Sequence, residues 1–157
     1  MAAGASIRVL LATCVLAVGA SGCATRPTPS VPLAAAAPAD DALYRALGGQ
    51  AGIEGIVDDL LDVVVEDERI NFQFALANIV RLRGMLIAQF CSVSGGPCRY
   101  DGLTMEEAHA GRGITTAQFN ALVENLIRVM ERRGVPVAAQ NRLLRRLAPM
   151  HDDVVGP

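Results

Sequence analysis

The chain has 157 residues, 52% of them apolar, which is enough to bury the core of one ordinary domain beside flanking segments. Its formal net charge is −2, and all 14 of its cationic side chains are arginines. No basic stripe is present, so the composition argues against a nucleic acid as partner.

The first 22 residues have the layout of a secretory signal peptide. A single cation, Arg8, precedes an apolar run at residues 9–18. A helix needs about 20 apolar residues to span a bilayer, so this run is too short to do so. The segment 20–23, Ala-Ser-Gly-Cys, resembles the lipobox of bacterial lipoproteins, in which the cysteine is acylated. The resemblance implies a lipid anchor on Cys23 and a location in the bacterial cell envelope facing the periplasm. A plain leader followed by a chance cysteine is the alternative.

Residues 23–40 differ in composition from the rest of the chain. They contain four prolines, a run of four alanines and few large apolar side chains. This composition predicts a flexible, extended tether. The globular domain is therefore expected at residues 41–157.

The globular part is predicted to be all-α, because apolar residues recur at helical spacing and strand signals are scarce. A short helix is expected at about 41–47 and a second at 52–66, separated by a glycine pair. The second helix should bury one stripe, formed by Ile53, Ile56, Leu60, Val63 and Val64. Asn78 can cap a third helix, which a Gly-Gly-Pro corner at 95–97 ends.

Two capping boxes mark the next two helices. The first, at residues 104–107, begins a very short helix with His109 in its last turn. The second, at residues 115–118, begins a longer helix. Pro136 can open the last helix, and Pro149 should kink it. The pattern predicts four longer helices and two short ones.

Few residues are suited to chemistry. His109 and His151 are the only histidines, so a multi-histidine metal site would need carboxylates to complete it. No nucleophile triad can be assembled, and the Gly-Arg-Gly run at 111–113 lacks the spacing of a phosphate-binding loop. Taken alone, His109 is most simply a structural or surface residue. His151 lies among aspartates near the chain end and is expected to be solvated.

Several motifs resemble those of group I truncated haemoglobins in their order and spacing. They are Leu43-Tyr44-x-x-Leu47-Gly48-Gly49, then Phe74, then Gly95-Gly96-Pro97 with Tyr100 and Gly102, then Met105-x-x-x-His109-x-Gly111-Arg112-Gly113-Ile114-Thr115. The resemblance covers nearly all of residues 41–155 and is most specific around His109. It implies a two-over-two helical sandwich around haem b, with His109 as the proximal ligand on the iron.

The resemblance also implies which other side chains contact the haem. Phe74 would stack on the porphyrin, and Arg81 and Arg112 would meet the propionates. The further residues expected on the faces or edges of the haem are Phe90, Tyr100, Met105, Ile114, Phe119 and Leu122.

The distal side departs from the family, which commonly has a tyrosine and a glutamine that hydrogen-bond oxygen. Leu61 and Leu86 stand at those positions, with Leu82 beside them, so an apolar distal pocket is expected. Without a donor, oxygen binding loses about 1 to 3 kcal/mol. Nitric oxide and carbon monoxide lose less binding free energy than oxygen when no donor is present. A diatomic gas is therefore the expected ligand, with nitric oxide as the first candidate. An external reductase would allow turnover of nitric oxide, as in a dioxygenase.

Met85 stands where some relatives supply a sixth iron ligand. A thioether at that place would give the His/Met ligation of electron-carrying cytochromes, and this is the alternative function. Packing of Met85 against the haem edge is the simpler interpretation. A third possibility is a helical lipoprotein without haem that serves as an interaction module, although the presence of His109 and Phe74 argues against it.

Cys91 and Cys98 flank a Ser-Gly-Gly-Pro corner. Such a corner can bring their Cα atoms within the roughly 5.5 to 6 Å of a disulfide. Because an exported domain meets an oxidising compartment, a disulfide is predicted; two buried thiols are the alternative. Neither cysteine belongs to a C-x-x-C-H run, so a thioether bond to haem is not expected.

Overall fold

The structure, a computed structural model, describes residues 41–156. The predicted signal peptide, the lipidation residue Cys23 and the tether lie outside these residues. Within them all regular structure is helical, and no helix is both long and apolar enough to cross a membrane. The α-helices are α1 (Ala42–Ala46), α2 (Gly49–Glu66), α3 (Ile79–Val93), α4 (Met105–His109), α5 (Thr116–Arg132), α6 (Val137–Leu147) and α7 (His151–Val154), with 3-10 turns at Asn71–Phe74 and Ala148–Met150.

The four longer helices form two packed layers. Helix α2 packs against α3 and α5, and α6 packs against the same two helices. Helix α2 buries the predicted stripe, with Val57 and Leu61 in addition and with Val63 only half buried. Each large apolar side chain that leaves water contributes about 1.5 to 3 kcal/mol, so this stripe holds the layers together. The predicted all-α, two-over-two sandwich is confirmed.

Helix α2 begins three residues earlier than predicted. Gly48 adopts a left-handed conformation with φ 91° and allows the chain to turn directly into the helix at Gly49. Gly52 then lies inside the first turns of α2, where a Cβ atom would be 2.0 Å from the carbonyl oxygen of Leu47. The glycine at position 52 therefore serves the close approach of α1 and α2, and does not mark the start of the helix.

The chain end follows the prediction for Pro149. Helix α6 ends at Leu147, a 3-10 turn carries the proline, and α7 begins at His151. A proline has no backbone N–H and clashes with the preceding turn, so an α-helix cannot continue through it. The amide of Gly156 donates to the carbonyl of Ile114 at 3.1 Å, which ties the chain end to the loop before α5.

A disulfide joins Cys91 at the end of α3 to Cys98 in the following loop, with their Cα atoms 5.7 Å apart. The corner between them is tightly packed. A Cβ atom at Gly96 would be 2.5 Å from the ring of Tyr44 and 2.7 Å from the Cys91 sulfur. The amide of Tyr44 also donates to the carbonyl of Ser94 at 3.1 Å. The corner therefore fixes the end of α3 against α1.

Candidate functional site

A cavity of about 460 Å³ opens among the first 3-10 turn, α3, α4, the loop before α4, and α5. This volume lies in the range of sites for small molecules and cofactors, roughly 300 to 1,000 Å³. The predicted site residues in its wall are Phe74, Arg81, Leu82, Met85, Leu86, Tyr100, Met105, His109, Arg112, Ile114, Phe119 and Leu122. The fold thus brings together in one wall most of the side chains that the sequence suggested, and most of them are apolar.

His109 is the imidazole in this wall. Its Nδ1 lies 2.7 Å from the carbonyl oxygen of Met105, one helical turn earlier. A carbonyl oxygen can only accept, so Nδ1 carries the proton and donates. In the neutral ring the lone pair is then on Nε2, which is the nitrogen left for a ligand role. A hydrogen bond of this kind orients a metal-binding imidazole and fixes its tautomer.

Helix α4, which carries His109, has only five residues and is too short to be stable without help. The predicted capping box supplies that help. Glu107 donates its amide to the Thr104 hydroxyl at 3.2 Å, and its carboxylate accepts from the Thr104 amide at 2.9 Å. The hydrogen bonds that the Thr104 amide and hydroxyl donate to the Glu107 carboxylate lower the pKa of Glu107. The start of the histidine-bearing helix is therefore set by its own sequence.

Two arginines line the cavity but differ in their availability. The Arg112 guanidinium donates to the carbonyl of Ala108 at 3.0 Å and to the carbonyl of Gln73 at 3.4 Å, so it closes the end of α4 against the 3-10 turn. Arg81 is exposed, and its side chain forms no ion pair within residues 41–156. Arg81 is accordingly the freer cation for an acidic group of a ligand.

The loop before α4 contributes Tyr100 and Leu103 to the wall. The Tyr100 hydroxyl donates to the Leu103 carbonyl at 2.8 Å, and a Cβ atom at Gly102 would be 2.5 Å from that hydroxyl. Burial, with the charge of Asp101, raises the pKa of the Tyr100 hydroxyl. Tyr100 therefore holds the loop in shape and also lines the cavity.

Two of the predicted site residues do not stand in the cavity wall. Leu61 and Phe90 are buried in the apolar core and do not line the cavity. Phe90 lies one turn beyond Leu86, near the C-terminal end of α3, and that end is inside the core. Leu61 lies on the part of α2 that packs against its neighbouring helices. Of the three expected distal residues, only Leu82 and Leu86 reach the cavity wall.

Gln89 was not predicted as a site residue, although it lines the cavity and is only 8% exposed. Its side-chain amide lies 3.2 Å from the Met105 sulfur and 3.4 Å from the Met150 sulfur. Its position seven residues after Leu82 and four after Met85 is the helical spacing that could have identified it. Gln89 therefore adds a polar group to the part of the wall that α3 forms. The other unpredicted lining residues are Ile70, Gln73, Leu76, Ala77, Asn78, Leu103, Ala108, Gln118 and Val154.

His151 is less solvated than predicted. Its side chain is 34% exposed, and Nδ1 donates to Asp152 at 2.8 Å. Its ring meets the Phe119 ring edge to face, with centroids 4.9 Å apart. Since Phe119 lines the cavity, His151 supports the wall from behind and is not part of it.

Known proteins resemble this chain over the whole helical domain. The family model described as "Bacterial-like globin" matches residues 42–155. The chain belongs to this globin family. The group 1 truncated hemoglobin GlbN of Mycolicibacterium paratuberculosis is 31% identical over 112 residues, which cover 71% of this chain and 82% of that protein. This globin is therefore a group 1 truncated haemoglobin.

Solved structures share the fold of this globin. The truncated hemoglobin from Tetrahymena pyriformis in its Fe(III) form superposes with a TM-score of 0.71 and 27% identity, covering 73% of this chain and 98% of that one. The 2/2 hemoglobin from a Synechococcus species, solved with covalently attached heme, has a TM-score of 0.68 and 25% identity over 72% of this chain and 97% of that one.

Proposed function

We propose that this globin holds haem b with His109 as the protein ligand on the iron, and that nitric oxide and carbon monoxide are its preferred gases. Haem binding and a diatomic gas as ligand follow from its membership of the truncated haemoglobins. The type of haem, the ligand residue and the order of preference among gases are the proposal. The observation that carries it is an oriented imidazole in the wall of a cavity that is mainly apolar.

The residues of the cavity fit a haem. The side chains of Phe74, Leu82 and Phe119 offer the apolar surface that a porphyrin needs, and Arg81 offers a cation for a propionate. His109 has a free Nε2, because its Nδ1 is engaged by the backbone. Solved relatives with an iron in the Fe(III) form or with attached heme support the same choice of cofactor.

When bound, haem supplies an iron at which a diatomic gas coordinates. The protein's own part is to hold and shield that site. The capped helix α4 orients the His109 imidazole, and the Met105 carbonyl makes it a better electron donor. The apolar side chains of Leu82 and Leu86 keep water away from the gas.

The composition of the wall supports a preference among gases. Oxygen gains most from a hydrogen-bond donor, and neither Leu82 nor Leu86 has one to offer. Gln89 has an amide, but its N–H groups lie against the sulfurs of Met105 and Met150. Nitric oxide and carbon monoxide depend less on a donor, so they are the proposed ligands. Turnover of nitric oxide would need an external electron donor.

An electron carrier with Met85 on the iron is the less favoured function, because the family is one of gas-binding globins. Met85 does line the same cavity as His109. Its spectroscopic test is simple: ligation predicts a six-coordinate, low-spin ferrous spectrum that Met85→Ala converts to a five-coordinate one. An unchanged spectrum would leave Met85 as a packing residue at the haem edge.

The proposed location is the bacterial cell envelope, with Cys23 lipidated and the globin domain facing the periplasm. The signal-peptide layout and the lipobox resemblance support it. The Cys91–Cys98 bond also supports export, since disulfides persist in oxidising compartments. Cys23→Ser should release the chain from the membrane fraction and abolish labelling by a fatty acid, whereas Cys14→Ser should change neither. Membrane retention and labelling of the Cys23 variant would refute the anchor.

The two histidines provide the test of the haem site. His109→Ala should lose the normal Soret band and, by losing the cofactor, part of its thermal stability, because a ligand that binds only the folded state stabilises it. His151→Gln is the matched control and should keep the Soret band, since His151 lies behind the wall. A normal spectrum in His109→Ala would refute the assignment.

A further inference from the structure

An unusual concentration of exposed apolar side chains lies on one short segment. Residues 41–156 have seven large hydrophobic residues with exposed side chains, and four of them, Phe72, Leu76, Ile79 and Val80, fall within residues 72–80. Val80 is 82% exposed and Leu76 is fully exposed. Exposed apolar residues are ordinarily scattered singly, and a cluster marks an interaction surface.

This apolar cluster, defined as Phe72, Leu76, Ile79 and Val80, adjoins the mouth of the haem cavity. Leu76 lines the cavity, as does a fifth exposed hydrophobic residue, Leu103. The remaining two, Val65 and Val137, belong to α2 and α6 and do not line it. Leu76 therefore belongs both to the exposed cluster and to the wall of the cavity.

Two arginines near the cluster in the chain have no carboxylate partner. The chain has 16 acidic residues, but none lies between Glu68 and Asp101, while this interval contains four arginines. Arg69 and Arg83 are held in ion pairs by Asp67, Glu124 and Asp58, which leaves Arg81 and Arg99 unpaired within residues 41–156. Arg99, in the loop that supplies Leu103, is exposed and forms no ion pair within residues 41–156. Exposed apolar side chains beside arginines that have no carboxylate partner match an anionic lipid surface.

We propose that the apolar cluster docks on an anionic lipid bilayer, so that the cavity mouth faces the membrane. Because nitric oxide, carbon monoxide and oxygen are small and apolar, a mouth at the bilayer would receive them from the phase in which they dissolve best. The 17 residues 24–40 can span at most about 60 Å when extended, which lets any face of the domain reach the membrane. The argument from the length of this segment rests on the proposed lipidation of Cys23. The match between the cluster and an anionic lipid surface does not depend on it.

The test uses the full-length, haem-loaded chain and measures amide hydrogen exchange with and without vesicles. On phosphatidylcholine vesicles that contain phosphatidylglycerol, the exchange of the amides of residues 72–80 should slow by at least about tenfold. This is the factor expected when one large apolar side chain leaves water. Residues 139–141 of α6 serve as the internal reference and should be unaffected. A local measurement is needed because the N-terminal segment can hold every variant on the vesicle.

Two matched double variants separate docking from a general effect of charge. Phe72→Glu with Val80→Glu should abolish the protection of residues 72–80 and keep a normal Soret band, because neither residue lines the cavity. Val65→Glu with Val137→Glu adds the same charge at comparably exposed positions and should keep the protection.

Three results would overturn the proposal. One is exchange at residues 72–80 that vesicles leave unchanged, and another is equal protection on vesicles of phosphatidylcholine alone. The third is protection that appears without vesicles and grows with protein concentration, which would assign the cluster to a second copy of the chain. A failed docking test with a normal Soret band would leave the haem site intact.

Discussion

Reduction of the Cys91–Cys98 disulfide should lower the free energy of unfolding by about 2.5 kcal/mol. The bond closes a loop of only eight residues, since the cysteines are seven apart, and the value follows from the chain entropy that such a loop removes from the unfolded state. For a domain of this size an unfolding entropy of about 2.1 cal/mol/K per residue converts it into a fall in Tm of about 10 °C. The corner itself should persist after reduction, because the close packing of Gly96 against the Tyr44 ring does not depend on the disulfide.

The assay is thermal unfolding of the holoprotein with and without a reductant. Cys91→Ser with Cys98→Ser should reproduce the lowered Tm and respond no further to the reductant. Cys14→Ser with Cys23→Ser is the matched control and should keep the full response. An unchanged Tm in reductant would refute the energetic argument. Two alkylated cysteines in the peptide spanning residues 91–98 of the non-reduced, exported protein would refute the bond itself.

Three further outcomes follow from the contacts of individual side chains. Hydrogen bonds from Arg69 and Asn125 hold the pKa of Asp67 well below its usual range, so its stabilising effect is present above about pH 4 and is lost as the pH falls towards the folded pKa. Asp67→Asn should therefore lower the urea midpoint at pH 7, by an amount that shrinks steadily below about pH 4. Thr104→Ala should lower the free energy of unfolding by about 1 kcal/mol, because it removes the cap of α4, and it should speed haem transfer to an acceptor apoprotein. Leu86→Gln should slow oxygen dissociation in stopped-flow experiments by about tenfold, because it adds a donor to the cavity wall.

Each of these outcomes can fail independently. An Asp67→Asn difference that is as large at pH 3 as at pH 7 would contradict the lowered pKa. Unchanged stability and haem transfer in Thr104→Ala would mean that α4 does not depend on its cap. Unchanged oxygen dissociation in Leu86→Gln would mean that this wall does not face the gas.

Features that depend on near neighbours in the chain could be predicted from the sequence. The caps at Asn78, Thr104 and Thr115 are confirmed, with each side chain accepting the amide three residues later. The helix break at Pro149 and the disulfide between Cys91 and Cys98 also depend on residues close together in the chain, and both were predicted. Short-range geometry decides all of them, because the atoms involved are separated by few rotatable bonds.

The cavity wall was only partly predictable, because a helical period identifies a face but not what that face meets. Leu82, Met85 and Leu86 share one face of α3 and reach the cavity. Phe90 continues the same face into the core, and Gln89 reaches the cavity although it is polar. How far along α3 the cavity extends depends on where α4 and α5 cross it, and that depends on contacts between residues far apart in the chain.

The sequence by itself determined the helical class, the starts of the three capped helices and the choice of His109 as the candidate iron ligand, since motifs of a few residues carry these features. The tertiary structure alone decided that Leu61 packs in the core and that Gln89 turns its amide towards two methionine sulfurs. It also decided that Leu76, in the exposed apolar cluster, lines the cavity. The physical reason is that burial is a property of packed helices: a side chain becomes core, wall or surface only when the neighbouring helices are in place.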